Sequence, residues 1–518
     1  MSNYTATRNV PPSLFPIGDG TEVKTAVFLA EGCDGVDTRF PSFQLPRSFL
    51  SEARDIALTT NKRVTTGPGY SVETTIGDSV IDCFSLRSPT SNRLYFVTTA
   101  GIKTSTLDVI GFSSPVALTG PAFTGLSTGD SCGFLVWDEN TLLVALPTNR
   151  LIAIDVPGAT YAEVADSPMG ATHIAYMNGR VVLSGFLTDR TRVQWSAQFD
   201  YTEWGDAALG AGYEDLGVSD TASLNPVFSV WPFSDTLGIV LRQYSVDIVT
   251  TSTNFDAPFF FAQRHKGVNL PFPKTAARTS TSVIVAGMTD VFELTPESVA
   301  SIGLAAGWTD QAVPVTRFAA YNPEDYEYLL YGHDSTRLWV YSTRHRCWIG
   351  QRTEPAASLT AMAFIGGRGA TPYGSLSGTY GSLTGTLDTL GVLENARRGM
   401  VFFVGATPYY SPVNTASTYY IRFPDIEPAT PERNITLLSI EVGYRALTTD
   451  TQTLLITDSA GNTSLNTFTP TASTNMKRSV VKRTLTSQWL RVALSGSSDM
   501  LIAYVIVRYT EGQTGVNG

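Results

Sequence analysis

The sequence predicts an all-β chain: a β-propeller of six or seven blades over 61–395, with an irregular N-terminal arm (1–60) and a C-terminal β-sandwich domain (396–518). Three observations predict it. The composition is poor in charge and rich in turn-forming residues, an Asn-Gly hairpin joins two apolar runs, and strand clusters recur at the spacing of propeller blades.

Of the 518 residues, 16% are charged, 43% hydrophobic and 11% aromatic, and 44 are glycine. That balance suits short strands joined by many turns and is neither disordered nor helix-rich. The length exceeds one ordinary domain, although a propeller can absorb some 300 residues alone.

The hairpin lies in THIAYMNGRVVLSGFLTDRTRVQWSAQFDYTEWGDA, where a strand over His173–Met177 meets Asn178-Gly179 and a second strand over 180–185. A two-residue mirror-image turn needs positive φ at both central positions, which Asn and Gly tolerate best. A third strand follows over 192–197, and Asp200…Trp204 closes the unit.

Apolar anchors recur through 72–83, 94–110, 134–146, 151–154, 174–185, 227–249, 283–294, 328–348 and 361–365. Their centres are ~40–55 residues apart, as for four-stranded blades. A lone blade cannot bury both faces, and closure into a ring lets each cover its neighbour. LWVYSTRHRCWIG adds a kelch-like rhythm: an aromatic strand, a polar turn and a Trp.

Before the propeller, Pro11, Pro12, Pro16, Pro41 and Pro46 break regular structure. One helix is predicted over 48–58, capped by Ser48, with Leu50, Ala53, Ile56 and Ala57 on one face. The arm fits two roles, lying across a neighbouring subunit or strapping its own propeller. Segment 373–392 repeats with a period of seven (Leu376, Leu383, Leu390), but its Gly, Ser and Thr content forbids a coiled coil. It reads as a loop pegged to the propeller or as a linker. Over 396–518, alternation at Leu438–Val442 and 489–494, with a turn at Asp458…Asn462, predicts seven or eight strands in two sheets.

The net charge of −10 argues against a sequence-independent nucleic-acid binder, which needs a basic surface to displace counterions. It is compatible with a wall along which phosphate slides without sticking. Cys33, Cys83, Cys132 and Cys347 show no metal-ligand spacing and read as small buried residues, with a disulfide pair as the alternative. The N-terminus lacks the apolar stretch of a signal peptide, and runs such as 500–507 are too short to span a bilayer.

No phosphate loop, dinucleotide fingerprint, zinc-protease motif or nucleophile elbow is present. His173, His265, His333 and His345 are far apart in sequence. For glycosidase chemistry, which needs two carboxylates in a funnel, the candidates are Asp34, Asp37, Asp215, Asp220 and Asp290, all in turn-like settings. Asp34-Gly-Val-Asp37 lacks the full ligand set of a calcium loop. Trp204, Trp231, Phe233 and Phe259–Phe261 suit a sugar site, a subunit interface or blade cores. The three adjacent phenylalanines cannot all share one strand face. No catalytic, cofactor-binding or metal-ligating residue is assigned, and an enzyme is not expected.

The pattern formed by His173, Ala175, Tyr176, Asn178, Gly179 and Arg180, then Trp195-Ser196, Asp200 and Trp204, and finally Asp256-Ala257-Pro258-Phe259, resembles the tail nozzle or hub proteins of short-tailed bacteriophages. These are also called packaged-DNA stabilisation or tail tubular proteins. The resemblance covers about a quarter of the chain. It implies a structural virion protein assembled in the host cytoplasm, six copies of which form a homohexamer ring below the portal-adaptor (head–tail connector) protein. Such a ring would retain packaged DNA, let genomic DNA pass at ejection without specific binding, and dock tail fibre proteins. It implies no cofactor. The alternative from the residues alone is a carbohydrate-binding (lectin-like) or glycosidase propeller.

Overall fold

A computed structural model describes residues 23–37, 41–87, 92–106, 112–217, 225–255, 257–303, 317–332, 337–356, 358–365, 399–413, 418–431, 433–446, 448–497 and 500–513. The described residues form strands and three short 3-10 turns, with no α-helix among them. Asn178 (φ 54°) and Gly179 (φ 71°) make the tight turn that their identities demand.

Seven four-stranded antiparallel units succeed one another at 80–117, 133–163, 173–215, 227–266, 277–301, 318–353 and 361–413. The first strand of each faces the axis and the chain then steps outward. Side-chain alternation explains the ring. In Thr141–Ala145, Leu142 and Val144 pack towards blade one, while Leu143 and Ala145 pack towards blade three. Seven hydrophobic clusters lie in this way between successive blades, the last joining Val401 and Phe403 of blade seven to Val80 and Phe96 of blade one. The protein is an all-β propeller of seven blades.

Blade seven is completed from the other end of the chain. Its inner three strands are Ala361–Ile365, Gly399–Val404 and Thr407–Val413, and its outer strand is Gly69–Val72. The expected boundary at 395/396 therefore moves: the strands at 399–413 belong to the propeller, because Val401, Phe403 and Tyr410 fill the gap to blade one.

Among the described residues of the N-terminal arm there are regular strands. Val23–Phe28 pairs with Met500–Gln513, while Ile56–Leu58 and Val64–Thr66 extend the same sheet, which continues through Arg433–Ala446 to Ser473–Ser487 at its edge. The helix expected over 48–58 is absent. Leu50, Ala53 and Ile56 are buried as their spacing suggested, but Leu50 is in an isolated bridge with Val36 and Ala53 and Ile56 are in short strands, with Asp55 at φ 52° turning the chain between those strands. The described strands of this segment pair with strands of the same chain.

A second sheet runs from blade six without a break. The outer strand of that blade, Cys347–Thr353, is followed by Glu52–Arg54, Tyr419–Arg422, Arg491–Gly496, Gln452–Thr457 and Thr463–Phe468. The two sheets share one core that includes Phe28, Leu50, Phe423, Ile440, Leu454 and Val507. The expected separate C-terminal domain is thus a unit built from both chain ends and continuous with the propeller. Segment 373–392 lies outside the described residues.

Candidate functional site

The first strands of the blades surround an axial cavity of about 560 Å³. Aromatic rings fill much of its wall. Phe84 and Phe134 stack at 5.3 Å, and His173 packs on Trp231 at 4.8 Å. Trp231 Nε1 donates to Ser229 Oγ at 2.7 Å, which fixes the indole.

Among this apolar lining stand three titratable groups of interest. Asp82 lies on the first strand of blade one, and its Oδ1 accepts from the Cys83 N–H at 2.8 Å. Burial pushes its carboxyl up to about 6, against the attraction of Lys274. Lys274, on the turn that leads into blade five, donates from Nζ to the Thr128 carbonyl at 3.2 Å, and burial pulls its ammonium below the ordinary lysine value. Burial likewise lowers His173 to about 4, so the ring is neutral at physiological pH. Its Nδ1 is enclosed without a hydrogen-bond partner among the described residues.

Blade five lies across the ring from blades one and two, and Thr128 belongs to the connection between those two. The Lys274–Thr128 bond therefore crosses the axis. The bond obstructs the channel along the propeller axis at this level.

The aspartates proposed for glycosidase chemistry are not gathered here. Asp34 pairs with Lys62 at 2.6 Å outside the axis, and Asp37 is buried in the N-terminal segment. Asp215 is on the outer strand of blade three, 2.9 Å from Arg192 Nε. Asp290 accepts from the Val291 and Gly303 N–H groups in a turn, at 2.8 and 3.0 Å. Asp220 and His333 lie outside the described residues. His345 Nε2 is 3.0 Å from the Thr59 carbonyl, and His265 is on the outer strand of blade four. Among the described residues, no three His, Cys, Asp or Glu side chains are grouped to hold a metal, and the four cysteines are free thiols. No helix among them is long and apolar enough to cross a membrane.

Of the residues that carried the family resemblance, those from His173 to Trp204 build blade three, Phe259 opens the outer strand of blade four, and Asp256 lies outside the described residues. Arg180 is buried and donates to the Gly210 and Asn178 carbonyls at 3.2 and 3.0 Å, with its guanidinium over Phe255. Ser196 Oγ accepts from the Val181 N–H at 3.1 Å. Trp204 Nε1 donates to the Tyr201 carbonyl at 2.7 Å, and Trp195 meets Phe259 edge-on at 5.2 Å. Of the three phenylalanines, Phe259 is buried and Phe260 is exposed. Phe233 lies under the Arg278 guanidinium. Sequence reasoning missed Asp82 and Lys274. The available signal was a carboxylate inside the apolar run VIDCF, where a blade strand has no ordinary use for one.

No protein-family model and no curated protein matches this sequence. Among solved structures, the chain is similar to the β-propeller domain of Cps50 (Swd1) from Myceliophteria thermophila. The TM-score is 0.43 and the identity 10%, over 67% of this chain and 100% of that one.

Proposed function

We propose that the chain is a structural subunit of a virion, the tail nozzle or hub of a short-tailed bacteriophage. Copies of it would form a ring, six by resemblance, beneath the portal-adaptor protein. The ring would close over packaged DNA, open at ejection and dock tail fibres. The observation that carries this reading is the run from His173 to Trp204, which resembles the pattern of those proteins.

Two features support it. The axial channel of one propeller is crossed by the Lys274–Thr128 hydrogen bond, which favours a conduit between copies, with the propeller in its wall. The negative charge disfavours tight phosphate contacts along that wall. The carbohydrate reading has less behind it, because its carboxylates stand apart.

Negative-stain imaging of the purified full chain over a concentration series, classified for rotational symmetry, tests the proposal. Six-fold rings with a central hole are expected. A chain that is monomeric at every concentration and binds a glycan saturably would overturn it.

A further inference from the structure

Charge is distributed unevenly over this protein. Between 133 and 217, which covers blades two and three, there are eleven acidic and four basic residues, a net of −7 out of −10 for the whole chain. Blade three also exposes Phe199 (69%) and Tyr213 (56%), beside Asp200, Glu203 and Glu214.

The opposite polarity is on the Ser473–Ser487 strand. It carries Lys477, Arg478, Lys482 and Arg483 and no acidic residue. It is the last strand of its sheet and its backbone pairs only with Arg433–Ala446, while Arg483 reaches over to donate to Ser464 Oγ of the Thr463–Phe468 strand at 3.0 Å. Met476 (49%) and Val480 (47%) are exposed along it. Lysines alone serve to keep an edge strand solvated. A fifteen-residue edge that mixes cations with exposed apolar side chains presents more than that protection requires.

The two surfaces face away from each other. In a seven-membered ring, blade six lies opposite blades two and three, and the unit that carries the basic strand is attached at blade six. Complementary patches on opposite sides of one molecule cannot satisfy each other. They can satisfy the next copy, head to tail, and that heterologous contact repeats into a closed ring or a filament. A strand of this length spans roughly 50 Å, enough to bury about 800 Å² per partner with its flanks.

We infer that the Ser473–Ser487 edge of one copy docks on the acidic surface of blades two and three of the next copy. The occupant is a second copy of this chain, since the molecule supplies both halves of the contact. The inference rests on the ring-forming reading above and names the surfaces that would make the ring.

The test is sedimentation velocity of the full chain at low and high salt, with two charge-reversed variants, Lys477→Glu/Lys482→Glu and Glu139→Lys/Asp166→Lys/Glu214→Lys. Circular dichroism and melting confirm that both are folded. The wild type is expected to associate with rising concentration and to dissociate in salt. Each variant alone should associate about tenfold more weakly or worse. An equimolar mixture should recover association, because both of its contacts are again between opposite charges. That recovery cannot come from misfolding.

A wild type that stays monomeric at low salt overturns the inference. So does association that neither variant weakens, and so does salt-sensitive binding of a DNA duplex to the basic strand with no self-association. Rings that survive both reversals would sink these surfaces and leave the nozzle reading intact. Association that is rescued by mixing yet yields open filaments without rings would do the opposite.

Discussion

Arg54 stands opposite Gln351 in the one parallel register pair that joins the N-terminal strand to the outer edge of blade six. Among the described residues it is the one strand pairing through which the nine-stranded sheet continues from the propeller, and Val340 and Ile349 of blade six add core contacts beside it. The joint is tightened by side chains: the Thr353 N–H and Oγ1 donate to the two Asp55 carboxylate oxygens at 2.7 and 2.8 Å. At Gly350, φ is +137° and an added Cβ would sit 2.5 Å from the Ala53 carbonyl oxygen. Gly350→Val should therefore force the strands apart and cost about 2–4 kcal/mol. Hydrogen exchange would show lost protection at 52–54 before any change in blades one to four. Uniform protection would argue that the joint is dispensable.

Closure of the ring depends on Gly69–Val72, and Tyr70 anchors it. Its hydroxyl donates to the Thr353 carbonyl at 2.8 Å, and its ring meets Phe402 edge-on at 5.4 Å. Tyr70→Ala removes both contacts and should cost about 3 kcal/mol, with Tyr70→Phe losing only about 1. Chemical denaturation of the two variants checks the ratio. Equal losses would mean that the hydrogen bond carries the strand and the ring does not.

What was legible in the sequence follows from range. The Asn178-Gly179 hairpin and the two-sided burial of Leu142–Ala145 are local patterns, and both could be read directly. The partners of the N-terminal strands lie hundreds of residues away: Ala26 faces Val507, and Glu52 faces Arg422. Strands of three residues have no period of their own, so Leu50, Ala53 and Ile56 imitated a helical face. Blade seven was cut at 395 because its fourth strand precedes the first blade. At the site, the run from His173 was visible as a pattern, but its role in holding blade three together needed coordinates. Asp82 and Lys274 are 192 positions apart and are brought near each other only by ring closure.

Arg242 and Asp247 form a buried ion pair at 3.1 Å in blade four, with 7% and 4% of their side chains exposed. Arg242 also donates to the Leu216 carbonyl at 2.8 Å and so ties blade four to the end of blade three. Asp247→Ala leaves a buried guanidinium without its counter-charge and should cost about 3–5 kcal/mol. The double change Arg242→Met/Asp247→Leu should cost less than Asp247→Ala alone, although it removes more interactions. Urea midpoints of the three proteins decide this. A double variant worse than the single one would show that the carbonyl contacts of Arg242 matter more than its charge partner.

Asp82 makes the stability of the fold pH-dependent in the direction opposite to that of an ordinary paired carboxylate. Its folded value is about 6, whereas an unfolded aspartate titrates near 3.9. Between those values the folded chain holds a proton that the unfolded chain has released. By linkage, the contribution of this group to stability falls as pH rises through the window, and it levels off above the folded value. Asp82→Asn cannot titrate, so the difference in unfolding free energy between wild type and variant isolates the effect from every other carboxylate. That difference should shift against the wild type by no more than about 3 kcal/mol between about pH 4 and pH 7. Urea unfolding of both proteins across that range measures it. Parallel curves would mean that Lys274 and water keep the carboxylate ionised in the channel throughout. Convergence only above about pH 6 would instead place the titration on another group.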